Sequence, residues 1–316
     1  MKLSCVITVY KAKDVIPELH NILVETCFNL CSQEFEIIYV VDACPDNSAE
    51  VLRTMSCDVG YCRVINLARN VGQSKAIMTG LEYATGDLVW LMDGDLEEDP
   101  RWIGVFWDRL KNLDCDVVYG VQKMRKGDVF ERISGAMFYS IINILSNQKI
   151  PRNLVTSRIM KKMYVDAILK HKERVFNFAG LALITGFNQQ EIVVEKRFLN
   201  KSSYSIRKKL VDSISTILTT STVPLLGVFV VSGAMFVFGA ILAALNIIEW
   251  YLIKSPIYGW GSLIASIWFV GGCLGLGVSA LAWYVHVIFI ETKNRPRSIV
   301  AEDFVLRDGR PSGVRE

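Results

Sequence analysis

The stretch Leu88-Val-Trp-Leu-Met-Asp93-Gly-Asp95-Leu-Glu97-Glu-Asp99-Pro100 decides how this chain is read. Its first five residues are apolar without a break, as in a strand buried on both faces, and such strands belong to parallel sheets covered by helices. The run ends in an acid-rich turn. Pro100, with Asp99 before it as a cap, suits the first turn of a helix. Alternate residues of an extended segment point the same way, so Asp93, Asp95 and Glu97 are placed to converge on one hard cation. Mg²⁺ or Mn²⁺ takes oxygen ligands and shares them with substrate phosphates. A helix start that merely tolerates acids would carry the same letters. The position at the end of an apolar strand favours a site.

Around this stretch, short β-rich runs alternate with helical patterns. The runs are Leu3–Val9, Phe35–Asp42, Cys62–Leu67, Asp87–Asp93 and Val117–Gln122; between them, Val15–Leu30, Ser48–Met55, Gln73–Ala84 and Pro100–Asn112 have apolar residues at helical spacing. The alternation predicts an α/β domain with a largely parallel sheet and helices on both faces. Ligands in such folds bind beyond the carboxyl ends of the strands, where Asp42 and Asp93 fall. Two further turns lie at strand ends. In Tyr39-Val-Val-Asp42-Ala-Cys-Pro-Asp46-Asn-Ser48 a carboxylate could accept from a base N–H or a ribose hydroxyl, although an ordinary Asx turn looks the same. In Arg69-Asn-Val-Gly72-Gln, Gly72 permits a tight turn and Arg69 offers a planar fork to an anion.

Half of the 316 residues (51%) are hydrophobic, and the excess sits mainly after Val223. Pro224–Ile248 and Leu263–Ile290 contain no Asp, Glu, Lys or Arg, and roughly 20 apolar residues suffice to span a bilayer. Gly271, Gly272, Gly275 and Gly277 in the second run suit close helix packing. Arg207, Lys208 and Lys209 precede the first run, and Lys293, Arg295 and Arg297 follow the second, which puts both chain ends on the cytoplasmic side. Residues 134–146 and 206–222 read as amphipathic helices lying in the membrane interface. No cleavable signal peptide is evident. The net charge of +3 gives no argument for nucleic acid. The 8 cysteines and 3 histidines show no paired metal-ligand spacing, and the cysteines read as reduced thiols.

Together and in this order, the motifs resemble the dolichol-phosphate-mannose-synthase-like, or polyisoprenyl-phosphate, glycosyltransferases of family 2. The resemblance rests on Val6-Ile-Thr-Val-Tyr10, the Val41-Asp42 turn with Pro45-Asp46-Asn-Ser, Arg69-Asn-x-Gly72 and Met92-Asp93-Gly-Asp95. It continues through Tyr119-Gly120, Phe138-Tyr139 with Leu145-Ser146, Arg158-Ile-Met160, Val165-Asp-Ala167, Gly186-Phe187, Ser202-x-Tyr204-x-x-Arg207-Lys208 and Glu291-x-Lys-x-Arg295-Pro296. It implies a cytoplasmic catalytic domain of GT-A (nucleotide-diphospho-sugar transferase) type over 1–205, a juxtamembrane helix over 206–222, two transmembrane helices within 223–291 and a cytoplasmic tail over 292–316. The enzyme would be a multi-pass plasma-membrane protein, a homo-oligomer, moving a sugar from a UDP- or dTDP-linked donor to a polyprenyl phosphate such as undecaprenyl phosphate, with inversion. By position, Asp42 would meet the base and Asp93 the ribose–phosphate side. Asp95 and Glu97, with Asp93, would hold Mg²⁺ or Mn²⁺, and Arg125 and Arg132 would contact the diphosphate. Tyr10, Arg69, Ser202 and Tyr204 would line the same cleft.

The chain departs from that pattern where many members carry an aspartate proposed as catalytic base: here the residues are Val155-Thr156-Ser157-Arg158. An acceptor phosphate monoester has a second pKa of about 6 and is largely ionised at neutral pH. It needs positioning and charge screening more than proton removal, and Arg158 and Thr156 are the residues expected to supply them. Ala12 likewise replaces a common glutamate. A catalytically silent nucleotide-sugar-binding scaffold is the alternative these departures favour, while the Asp93/Asp95 pair opposes it. A processive polysaccharide synthase would carry Q-x-x-R-W near its membrane helices; Glu98-Asp-Pro-Arg101-Trp102 is a superficial near-match far from them.

Overall fold

The computed structural model describes residues 1–57, 59–122, 153–196, 259–307 and 310–312, with isolated helical residues between 231 and 241. The chain divides into two compact units, one of residues 1–140, 148–205 and 295–316, the other of 141–147 and 206–294. The expected interface helices (134–146, 206–222) and most of the first apolar run, Pro224–Ile248, lie outside the described residues.

The first unit is built on a sheet with β1 (Leu3–Val9), β2 (Phe35–Val41), β3 (Tyr61–Leu67), β4 (Leu88–Asp93), β5 (Val117–Gln122), β6 (Leu154–Lys161), β7 (Gln189–Val194), β8 (Val300–Arg307) and β9 (Arg310–Ser312). Their order is β7-β5-β6-β4-β1-β2-β3-β8-β9. Strands β1 to β4 run parallel, β6 lies antiparallel between β4 and β5, and β8 is antiparallel to β3. The sheet is therefore mixed.

Its residues alternate between two cores, because successive side chains of a strand leave opposite faces. Cys5, Ile7, Ile37, Tyr39, Trp90 and Met92 face one side, under α1 (Ile16–Cys31), α2 (Ser48–Arg53) and α4 (Trp102–Asn112). Val6, Ile38, Val40, Val89 and Leu91 face the other, under α3 (Gln73–Tyr83), α5 (Lys162–Leu169) and α6 (Phe178–Ile184). Helix α4 starts two residues later than Pro100 suggested. Asp99 instead accepts from the Arg101 amide at 3.0 Å, an Asx-type turn ahead of the helix.

The stretch read as a tail contributes β8 to this sheet. Arg63 grips Asp303 with two nitrogens at 2.8 and 2.5 Å, Asn66 donates to Glu302 at 3.0 Å, and Thr79 meets Ser298 at 2.7 Å. One pair of cysteines also departs from the reduced-thiol reading. Cys57 and Cys62 form a disulfide, their Cα atoms 6.1 Å apart across a short loop. His20 lies close enough to both sulfurs for a metal site. Its ring nitrogens, however, bond the Tyr39 hydroxyl (2.9 Å) and the Ser56 carbonyl (3.0 Å), as in a satisfied core histidine.

In the second unit, besides the isolated helical residues between 231 and 241, the described residues include α7 (Trp260–Thr292). Its segment Phe269–Thr292 has a mean hydropathy of 1.9 with none of it buried, and is long and apolar enough to cross a membrane. It is the only such helix among the described residues.

Candidate functional site

The chain runs from β1 outward through β2 to β3, then crosses back over α3 to place β4 on the other side of β1. The gap between β1 and β4 is thus the topological switch point, where open α/β sheets bind ligands beyond the strand ends. Thr8 and Asp93 are partners there, and the Thr8 hydroxyl donates to Asp93 Oδ1 at 2.9 Å. The next residue must be small: a Cβ on Gly94 would lie 2.9 Å from the Thr8 carbonyl oxygen.

Asp93 is surrounded by donors. Besides Thr8, Gln73 Nε2 reaches Oδ1 at 2.7 Å and the Thr156 hydroxyl donates to Oδ2 at 2.7 Å. Gln73 also bonds Thr156 Oγ1 at 3.2 Å, closing a ring of three residues. Nothing in the local pattern marks Gln73 beyond its place after the Arg69–Gly72 turn, which sets it at the start of α3.

The three acids do not sit on one extended segment. Strand β4 ends at Asp93, and the backbone then turns, with Leu96 in the left-handed region (φ 58°), so the alternation of an extended segment stops there. With the oxygens of Asp93 engaged, the exposed Asp95 has the more open carboxylate, and half-buried Glu97 lies 3.8 Å from Lys196 Nζ. Asp95 accepts from the Glu97 amide at 3.0 Å through one oxygen. Crowding by the surrounding protein, then the Asp93 charge, push its carboxyl up to about 6. Two carboxylates with substrate phosphates and water completing the shell suit Mg²⁺ or Mn²⁺, so this donor set fits such an ion.

Behind the turn, Glu98 is fully buried and accepts from the Thr156 amide (3.0 Å) and the Ser157 hydroxyl (2.5 Å), with Lys196 Nζ 3.1 Å away. Burial, followed by the Asp93 charge, raises the Glu98 pKa; burial lowers that of Lys196, but the acids around it, Glu98 foremost, raise it on balance. Neither residue stands out in the sequence, because burial within an acidic turn leaves no local pattern.

Arg158 shares the face of Thr156, two residues on in β6. It is 3% exposed, its guanidinium lies 4.9 Å from the Phe178 ring centroid, and its Nε donates to the Thr156 carbonyl at 3.2 Å. Burial lowers its pKa, from a starting value so high that the group stays cationic.

On the β2 side, Asp42 is 4% exposed and accepts from the amides of Val71 (2.7 Å) and Gly72 (2.9 Å). It shapes the turn that presents Arg69, which is exposed. Burial raises the Asp42 pKa in spite of those bonds. Tyr10 is 48% exposed at the end of β1. Arg125, Arg132, Ser202 and Tyr204 lie outside the described residues.

Residues 4–169 match the family model described as "Glycosyl transferase family 2". A Mycobacterium tuberculosis protein named among the glycosyltransferases is 34% identical, over 95% of this chain and 87% of that protein. The chain belongs to glycosyltransferase family 2. The Bacillus subtilis glycosyltransferase YkcC is 30% identical over 97% of this chain and 95% of its own, and the bactoprenol glucosyl transferase of Shigella phage SfII is 28% identical over 95% and 97%. Among solved structures, Staphylococcus aureus TarS 1–349 in complex with UDP-GlcNAc has a TM-score of 0.47 at 17% identity, over 70% of this chain and 66% of that one. So loose a likeness adds nothing to the family assignment. As a family 2 enzyme, the chain has an α/β domain of GT-A type with a mixed sheet, and the ring around Asp93 lies at its switch point.

Proposed function

We propose that this family 2 enzyme transfers a sugar from a nucleotide-sugar to a polyprenyl phosphate at the cytoplasmic face of a membrane, with inversion at the anomeric carbon. The observation that carries the proposal is Thr156. Where the resemblance leads one to expect a carboxylate base, the chain has a hydroxyl that donates to Asp93, with the buried cation of Arg158 on the same face. A hydroxyl at that position does not deprotonate an alcohol. It suits an acceptor that arrives already ionised, as a phosphate monoester does at neutral pH. The apolar helix α7 and the similarity to a bactoprenol glucosyl transferase support a lipid as the carrier of that phosphate.

In this reading the donor lies across the switch point. The turn held by Asp42 presents Arg69 to the donor, and Asp95 and Glu97 would hold Mg²⁺ or Mn²⁺ against the diphosphate. That ion, when bound, offsets the charge that builds on the departing nucleoside diphosphate. Thr8, Gln73 and Thr156 orient Asp93 toward the ribose–phosphate side. Arg158 draws the acceptor phosphate, in surroundings where a charge-assisted contact is strong. One acceptor oxygen forms the bond to the anomeric carbon as the bond to the diphosphate oxygen breaks on the opposite face. No proton has to move.

Purified full-length enzyme, given a panel of UDP- and dTDP-sugars with Mn²⁺ and undecaprenyl phosphate, should form a lipid with the mass of polyprenyl-monophosphate-sugar from at least one donor. Donor binding without any lipid-linked product across the panel would instead favour a silent scaffold.

A further inference from the structure

Glu98 and Lys196 form a buried ion pair behind the candidate site, and the transfer outlined above uses neither. A single carboxylate joins three segments there: the turn carrying Asp95 and Glu97, strand β6 at Thr156 and Ser157, and residue 196 just beyond β7. Lys196 also reaches toward the site, with its Nζ 3.8 Å from Glu97 Oε2. A buried pair of charges adds little net stability, and apolar side chains of similar volume often serve packing as well or better. Packing therefore gives a poor account of the pair, whereas its reach to Glu97 gives it a task.

We propose that Lys196 and Glu98 are positioning residues that set the strength of the divalent-cation site: Lys196 competes with the cation for Glu97, and Glu98 draws the lysine away. This rests on the reading of Asp95 and Glu97 as the carboxylates that hold the cation. Neutralising the lysine leaves the acidic turn more negative and free of its internal competitor. Neutralising Glu98 leaves Lys196 with Glu97 as its remaining partner among the described acids within 4 Å. The two changes thus act on cation affinity with opposite signs. A purely structural role would move both in the same direction, by loosening the turn.

The test is Mn²⁺ binding to the full chain in detergent without donor, followed by electron paramagnetic resonance of the free ion. Lys196→Gln should lower the Mn²⁺ Kd about fivefold and Glu98→Gln should raise it about fivefold, as expected for one unit charge near a partly solvated site. The double variant leaves no buried charge unpaired and should bind within about twofold of wild type. It also carries the test if a single variant fails to fold, since a shift of tenfold or more there overturns the proposal. Single variants that shift in the same direction, or not at all, overturn it too while the cation reading stands. Wild-type protein with no Mn²⁺ binding that Asp95→Asn abolishes would overturn the cation reading itself, and the inference with it.

Discussion

Replacing Thr156 by alanine removes a hydroxyl that donates to Asp93 at 2.7 Å and accepts from Gln73 at 3.2 Å. Asp93 keeps its bonds from Thr8 (2.9 Å) and Gln73 (2.7 Å), and it is open enough for water to take the vacated place. One hydrogen bond exchanged for water costs about 1 kcal/mol, so the rate should fall roughly fivefold. Aspartate at the same position is a harsher change. Two like charges about 4 Å apart repel by about 4 kcal/mol at an effective dielectric constant near 20, so Thr156→Asp should lower the rate further rather than install a useful base. The assay is the initial rate of lipid-sugar formation at saturating donor, with melting temperature and donor affinity as controls. In wild type and in Thr156→Ala alike, the rate should rise with pH through about 6 and then level off, following the second ionisation of the acceptor phosphate. A Thr156→Ala enzyme that folds and binds donor normally yet loses about a thousandfold in rate would refute this reasoning, because Thr156 would then be activating the acceptor.

The Asp95 carboxyl, pushed up to about 6, is mostly protonated below that pH, and proton and cation compete for it. Mn²⁺ affinity should therefore be nearly constant above pH 7 and fall about tenfold per unit well below pH 6, as a binding titration at several pH values would show. Asp42→Asn should raise the donor KM and lower the melting temperature. The amide keeps one acceptor for the Val71 and Gly72 N–H groups but turns a donor against the other, a mismatch of about 1–3 kcal/mol. Asp303→Ala, which strips the two-nitrogen grip of Arg63 on β8, should destabilise the first unit by about 1–2 kcal/mol in chemical denaturation.

Where apolar runs are continuous and bounded by turns, the sequence pattern and the structure agree closely. Strands β1, β4 and β5 and helices α1 and α3 start and end within two residues of expectation, because strands buried on both faces and amphipathic helices leave a strong local period. The acids at the ends of β2 and β4 were legible for the same reason. Strand β8 was not. Val300–Arg307 carries Glu302 and Asp303 in its middle, as a tail would, and their partners Arg53, Arg63 and Asn66 lie far away in the chain. The left-handed turn at Leu96, which interrupts the extended alternation from Asp93 to Glu97, is something letters alone do not signal. The ring of Thr8, Gln73 and Thr156 around Asp93 and the burial of Glu98 and Arg158 depend on strand pairing, with β6 set beside β4, and no local period encodes that.

In the proposed reaction the acceptor brings its own negative charge. The decisive measurement offers the purified enzyme, with one working donor, either a polyprenyl phosphate or the matching unphosphorylated polyprenol. Sugar should pass to the phosphate and not to the alcohol, at any pH between about 6 and 8, because an alcohol would need a base where this chain has the Thr156 hydroxyl. Transfer to the alcohol at a rate comparable with the phosphate would contradict the proposed reaction.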